Sequence, residues 1–149
     1  MGRLSWLLVV SLAIGCASPP RTAIGFFTHF AVPSEPTLLL ISPTWSDRGL
    51  AMLELLREAK EKHHRLQVVM VVLDDLPTKA WRVAASALNV PGVVRRGQGL
   101  GLEAAPFGPV KEVPLLYWVS QDEKVFQRAV GFIGREEFMA QTRRFLESN

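Results

Sequence analysis

The sequence contains a single cysteine, so no disulfide can form within the chain and stability has to come from a hydrophobic core. The 17 Lys and Arg are scattered among 14 Asp and Glu, in doublets at most, which excludes a nucleic-acid-binding stripe. The 149 residues contain no internal repeat, and a chain of about 150 residues usually forms one domain. These absences predict one compact domain that binds no nucleic acid.

An apolar run long enough to span a membrane is also missing. The N-terminal apolar stretch ends at Gly15, whereas a membrane span requires about 20 apolar residues. Arg3, the apolar stretch 4–14 and the small residue Gly15 follow the order of an export signal. The stretch Leu12–Cys16 resembles a bacterial lipobox, in which the signal is cut before the cysteine and the sulfur carries lipid. An ordinary signal peptide, cut after a small residue, is the alternative interpretation.

The lipobox interpretation divides the chain into an export signal (1–15), a lipidated tether with an N-terminal arm (16–35) and a folded domain (36–149). It places the protein in a bacterial cell envelope, facing the periplasm and bound to the membrane through Cys16. Ala17 stands where an aspartate would retain some lipoproteins at the inner membrane, which favours the outer membrane.

Two nearly continuous apolar runs, Thr37–Ile41 and Leu66–Leu73, are typical of strands buried on both faces. Between them, 48–63 carries apolar residues at helical spacing, among them Leu50, Leu53 and Leu56. A strand-helix-strand unit of this length predicts two parallel, neighbouring strands.

The remaining elements complete an α/β domain. The pattern predicts a helix over 77–88, an irregular, loop-rich stretch over 93–112, an antiparallel hairpin of 115–120 with 125–131, and an amphipathic helix over 134–146. The predicted order is β-α-β-α-β-β-α, with a central mixed sheet flanked by helices.

On these elements the sequence resembles the TlpA-like envelope thioredoxins. The strand 36–41 with the turn 42–49 is similar to their first strand and active-site turn, and Val113-Pro114 is similar to the cis-proline that precedes a later strand. The resemblance spans about 36–146 and implies a thioredoxin-like fold. A different α/β sandwich with the same element order is the alternative.

The sequence departs from that family at the reactive site. Where the family has Trp-Cys-x-x-Cys, this chain has Trp45-Ser46-Asp47-Arg48-Gly49, so both sulfur atoms are replaced, one by a hydroxyl and one by hydrogen. Disulfide exchange requires a thiolate that attacks and a second thiol that resolves, and a serine hydroxyl is too weakly acidic to substitute. The sequence therefore predicts no catalytic residue and no cofactor.

The sequence gives little support for a serine nucleophile or a metal site. Ser46 as a nucleophile would need a nearby base, but His63 and His64 end the first long helix and the pattern does not place His29. Ser46 and Asp47 instead suit the start of that helix, where either side chain can accept a backbone N–H. Adjacent histidines diverge on a helix, and loop acids such as Asp74-Asp75 are usually caps or turn formers, so we expect no metal site.

The leading hypothesis is a binding or assembly module that uses the old substrate groove to hold an extended peptide or an envelope protein. The expected binding residues are Trp45, Ser46, Asp47, Gly49, Val113 and Pro114. One alternative is a redox protein whose cysteines come from a partner. Another is an accessory domain that docks onto a neighbour through the loop-rich stretch 93–112.

Overall fold

The computed structural model describes residues 35–97, 110–122 and 124–149. These residues form the following elements: β1 (Thr37–Ser42), α1 (Asp47–Lys62), β2 (Gln67–Val72), α2 (Thr78–Ala87), β3 (Val93–Arg96), β4 (Leu115–Val119), β5 (Val125–Val130) and α3 (Arg135–Glu147). The predicted export signal, Cys16 and the N-terminal arm with His29 lie outside the described residues. Within the described part, no helix is long and apolar enough to cross a bilayer.

The five strands form one mixed sheet in the order β3-β2-β1-β4-β5. β1 runs parallel to β2, with Leu38 opposite Val68, and antiparallel to β4, with Leu38 opposite Trp118. β4 and β5 are antiparallel neighbours. The parallel first pair, the antiparallel hairpin and the central mixed sheet are all confirmed.

The core has two layers, one on each face of the sheet, because successive side chains of a strand point to opposite sides. Leu38 and Leu40 pack on the face that α1 and α3 cover, whereas Leu39 and Ile41 pack on the other face. All four are buried, and full burial of such a side chain is worth about 1.5–3 kcal/mol. β1 is therefore the centre of the domain, as its uninterrupted apolar sequence predicts.

One predicted loop is partly a strand. The stretch 93–112 was expected to be irregular, but Val93–Arg96 form β3, which pairs in parallel with β2. The order of elements is therefore β-α-β-α-β-β-β-α. A strand of four residues with two arginines has no alternating apolar pattern, and its hydrogen bonds depend on a partner more than 20 residues away.

Leu50 also differs from expectation. Its spacing placed it on the apolar face of α1, yet its side chain is 39% exposed. It lies at a groove between α1 and α2. Helical periodicity identifies a face but not how much of that face a neighbour covers.

An ion-pair cluster joins α1 to α3 on the surface. Glu58 accepts a hydrogen bond at 2.6 Å from Nζ of Lys62, one turn further along α1, and another at 2.8 Å from Arg135 Nε. Together Arg135 and Lys62 lower the pKa of Glu58 from its ordinary value of 4.5 to about 2. Because folding lowers this pKa, ionised Glu58 stabilises the folded state above pH 4.5, and the contribution is lost as the pH falls toward 2.

We therefore expect Glu58→Gln to reduce stability at neutral pH and to flatten the loss of stability between pH 4.5 and 2. Urea unfolding of both proteins across that pH range measures the effect. Glu61→Gln is the matched control, because Glu61 lies on the same helix but makes no ion pair with a described residue. Parallel pH curves for wild type and Glu58→Gln would contradict the assignment.

Candidate functional site

The turn after β1 lies at one edge of the sheet. β1 and β2 are parallel, so their last residues, Ser42 and Val72, are paired neighbours. β4 runs the other way, with Leu115 opposite Ile41, so the residue before it, Pro114, stands at the same edge. The topology thus places the predicted binding residues on two neighbouring segments: Trp45, Ser46, Asp47 and Gly49 on the first, Val113 and Pro114 on the second.

An aspartate after β2 holds this turn in place. The carboxylate of Asp74 accepts a hydrogen bond from the backbone N–H of Thr44 at 2.6 Å and another from the Thr44 hydroxyl at 3.2 Å. Charge-assisted hydrogen bonds are stronger than neutral ones. Asp74 therefore fixes the turn through a residue 30 positions away, which was not predictable from local sequence.

Ser46 anchors the other end of the turn. Its hydroxyl accepts the N–H of Gly49 at 3.1 Å, which confirms the predicted capping of α1. The N–H of Ser46 in turn donates to the carbonyl of Pro43 at 3.4 Å. Asp47, the first residue of α1, is exposed at a helix start, where a negative charge is favourable. Both ends of the turn are thus held by hydrogen bonds.

Trp45 stands between these anchors with 74% of its surface exposed. The other two tryptophans in the described residues are packed: Trp118 is buried, and Trp81 is partly buried against the core. Trp45 is thus accessible, as the binding role expected from the sequence requires. A large aromatic side chain on a rigid surface turn is the kind of residue that dominates protein interfaces.

The second segment contains backbone groups that bond to no described residue. The peptide bond between Val113 and Pro114 is cis, as the resemblance implies. The Pro114 carbonyl accepts the N–H of Gly131 at 2.8 Å, but no described residue hydrogen-bonds to the backbone of Val113. The N–H and C=O of Val113 can therefore pair with an added extended strand.

The space beside Gly49, where the resemblance would place a second cysteine, is filled. A Cβ atom built on Gly49 would lie 2.0 Å from Ser42 Oγ and 2.9 Å from Ser42 Cβ, both closer than real contacts allow. Ser42 is fully buried at the end of β1 and cannot swing out without disturbing the sheet. The Ser42 side chain thus occupies the space beside Gly49, a contact that was not predicted from the sequence.

Neither an activated serine nor a metal centre is formed by the described residues. Ser46 and His63 occupy the two ends of the 16-residue helix α1, and at 1.5 Å per residue they are more than about 20 Å apart. Ser46 Oγ is occupied as a helix cap. No group of three or more His, Cys, Asp or Glu side chains in the described part could hold a metal ion.

The sheet order, the helix that begins directly after the turn and the cis-proline before β4 define a thioredoxin-like α/β fold. Comparison with solved structures confirms this class. No protein-family model matches the chain, and no curated protein matches it significantly.

Three solved structures illustrate the likeness. A candidate thiol:disulfide interchange protein, DsbE, from Chlorobium tepidum aligns with TM-score 0.63 and 21% identity over 76% of this chain and 82% of its own. A secreted disulfide oxidoreductase of Mycobacterium tuberculosis aligns with TM-score 0.61 and 12% identity over 76% of this chain and 84% of its own. The exposed lipoprotein thioredoxin of Streptococcus pneumoniae aligns with TM-score 0.60 and 18% identity, over 76% and 87%. At these identities the comparison shows the fold and leaves function to the site.

The contact between Gly49 and Ser42 predicts that Gly49→Ala destabilises the protein by about 1–3 kcal/mol, as overpacked cores do. We expect this loss of stability even though alanine has a higher helix propensity than glycine. Combining it with Ser42→Gly, which removes both clashing atoms, should cost less than the sum of the single changes. A double-mutant cycle of urea unfolding free energies measures this coupling.

Gly134→Ala is the control, since a Cβ atom there meets nothing within 4 Å. Because Gly134 is the N-cap of α3, where alanine is less favourable than glycine, we expect a loss of about 1 kcal/mol that Ser42→Gly leaves unchanged. Additive costs for the Gly49 and Ser42 changes would refute the contact.

Proposed function

We propose that this chain is an exported, redox-inactive thioredoxin-like protein whose former active-site edge binds an extended segment of an envelope protein. The observation that carries the proposal is a turn that is anchored at both ends but lacks both sulfur atoms. Asp74 and Ser46 hold the turn around an exposed Trp45, while hydroxyl and hydrogen replace the thiols. A site kept in shape without its reactive groups suits binding better than electron transfer.

The binding mode follows from the two segments at this edge. The N–H and C=O of Val113, which bond to no described residue, would pair with an extended ligand, and strand addition of this kind needs no thiol. The exposed ring of Trp45 would pack against a ligand side chain. Ordering a side chain on binding costs free energy, and the cost is smaller on a turn that is already rigid.

We further propose that the protein is anchored by lipid on Cys16 and faces the periplasm, with the outer membrane as its destination. The order of basic, apolar and small residues before Cys16 supports this. The described domain begins at Glu35, next to the amino end of β1, whereas Trp45 follows its carboxyl end. A tether that enters there would hold the binding edge away from the membrane.

A second candidate function is disulfide chemistry with cysteines supplied by a partner protein. It is favoured by the fold likeness to disulfide oxidoreductases. The chain itself would then hold a thiol-bearing partner, and the same edge would orient it.

The binding proposal predicts that Trp45→Ala weakens capture of short extended peptides, selected on the wild-type protein from a random display library, by about thirtyfold, the scale of an interface hot spot. Fluorescence anisotropy of the labelled peptides with full-length protein measures the dissociation constant. Phe126→Ala is the matched control, because Phe126 is also exposed but is the second residue of β5, at the opposite end of the sheet from Trp45. Its affinity should match wild type, and unchanged binding by Trp45→Ala would overturn the proposal.

The redox-inactive assignment predicts that the purified full-length protein does not accelerate insulin reduction by dithiothreitol. A dithiol cycle needs an attacking thiolate and a resolving thiol, and the domain after Cys16 contains neither. Turbidity of the precipitating insulin chains is the readout, with a dithiol thioredoxin as the positive control. A rate above the protein-free reaction would favour the second candidate function.

A further inference from the structure

Helix α2 is the least buried of the three helices in the described residues. Seven of its ten residues are exposed and the other three are only partly buried. By contrast, six residues of α1 and four of α3 are buried. Of the ten residues of α2, only Trp81 packs against the main core cluster, together with buried Leu88 at the end of the helix. α2 therefore makes little of the apolar contact that stabilises a helix in a folded domain.

The ends of α2 also lack the usual side-chain stabilisation. Pro77 at its N-cap makes no side-chain hydrogen bond, the first turn has no acidic residue and the last turn has no basic one. α1 instead begins at the Ser46 cap, and α3 has two acidic residues in its first turn and a basic one in its last. Neither capping nor the helix dipole therefore compensates for the sparse packing of α2.

Two arginines from other elements hold the ends of α2. Arg96 on β3 donates a hydrogen bond to the carbonyl of Leu76, just before the helix. Just after the helix, Arg57 on α1 donates to the carbonyl of Leu88 at 2.6 Å and to that of Asn89 at 3.1 Å. Hydrogen bonds from a charged donor are stronger than neutral ones. We call Arg57 and Arg96 the two clamps of α2.

The chain is fixed on each side of this helix. Before it, Asp74 holds Thr44 through two hydrogen bonds. After it, Asn89 adopts a left-handed backbone conformation with φ 47°, which ends the helix. Gly92 then lies so close to β2 that a Cβ atom there would be 2.0 Å from the carbonyl oxygen of Val68. The weakly packed helix is thus bounded by two firmly held points.

From these observations we infer that α2 detaches from the domain as one unit while the sheet, α1 and α3 remain folded, and that the two clamps set how often it does so. Elements with few buried apolar contacts are the ones that open locally. Detachment removes one wall of the groove between α1 and α2 and uncovers Leu53, which is buried and lines that groove. The detached form is a minor second conformation with a larger apolar surface.

The turn that carries Trp45 takes no part in this opening. Its two anchors are the bonds from Thr44 to Asp74 and from Gly49 to Ser46, and neither involves a residue of α2. Detachment therefore leaves the proposed peptide site in shape. The inference holds whether or not that site binds a peptide.

Native-state hydrogen exchange of the full-length protein at low urea concentrations, read by mass spectrometry of its peptides, tests this inference. We expect protection factors in α2 at least about tenfold lower than in α1 and α3. The opening of α2 should also depend less on urea than global unfolding does, because it exposes less surface.

The clamps are tested by Arg57→Ala and Arg96→Ala. Arg57→Ala removes the two carbonyl bonds, and Arg96→Ala removes one such bond and a guanidinium 5.3 Å from the centre of the Trp81 ring. Each change should lower protection of α2 about tenfold, the scale of a hydrogen bond from a charged donor.

Val71→Ala is the matched control, because Val71 is buried on the sheet face to which no described helix contributes a core residue. The detached form keeps that face intact. We therefore expect Val71→Ala to lower protection of α1 and α3 at least about tenfold, as a core truncation does, while protection of α2 stays within about twofold of wild type.

Equal protection of α2 and α1 in the wild-type protein would overturn the inference, since α2 would then open only with the whole domain. An equal loss of protection at α2 and α1 in Val71→Ala would overturn it for the same reason. Wild-type protection of α2 in both clamp variants would refute the role of Arg57 and Arg96. Thermal unfolding checks that each variant folds, and the wild-type measurement decides the matter where one does not.

Discussion

Strand β1 has a hydrogen-bonded neighbour on each side, parallel to it on one side and antiparallel on the other, and the candidate site depends on this arrangement. The parallel neighbour brings Asp74 to the edge where β1 ends. The antiparallel neighbour brings Pro114 to the same edge. Because β1 is buried on both faces, this edge cannot shift without disrupting both layers of the core.

The local chemistry of the turn keeps it ordered. Ser46 has no thiol, but its hydroxyl satisfies an N–H at the start of α1 that would otherwise lack a partner. Gly49 has no side chain, and buried Ser42 occupies the space beside it. The turn therefore has neither a cavity beside Gly49 nor a frayed helix start, and it presents Trp45.

We propose that Trp45 and Val113 serve an extended ligand at this sheet edge, where backbone pairing would provide affinity. The groove between α1 and α2 begins at Thr44, so the same anchored turn borders both surfaces.

The sequence by itself determined the buried strands β1 and β2, the helix between them, the capping role of Ser46 and the absence of thiols from the domain. These features follow from short-range patterns or from residue identity. Only the tertiary structure decided the pairing of β3, the bond from Asp74 to Thr44, the contact of Ser42 with Gly49, and the groove beside Leu50. Each of these joins residues distant in sequence or depends on how closely two elements pack, and a local pattern contains neither kind of information.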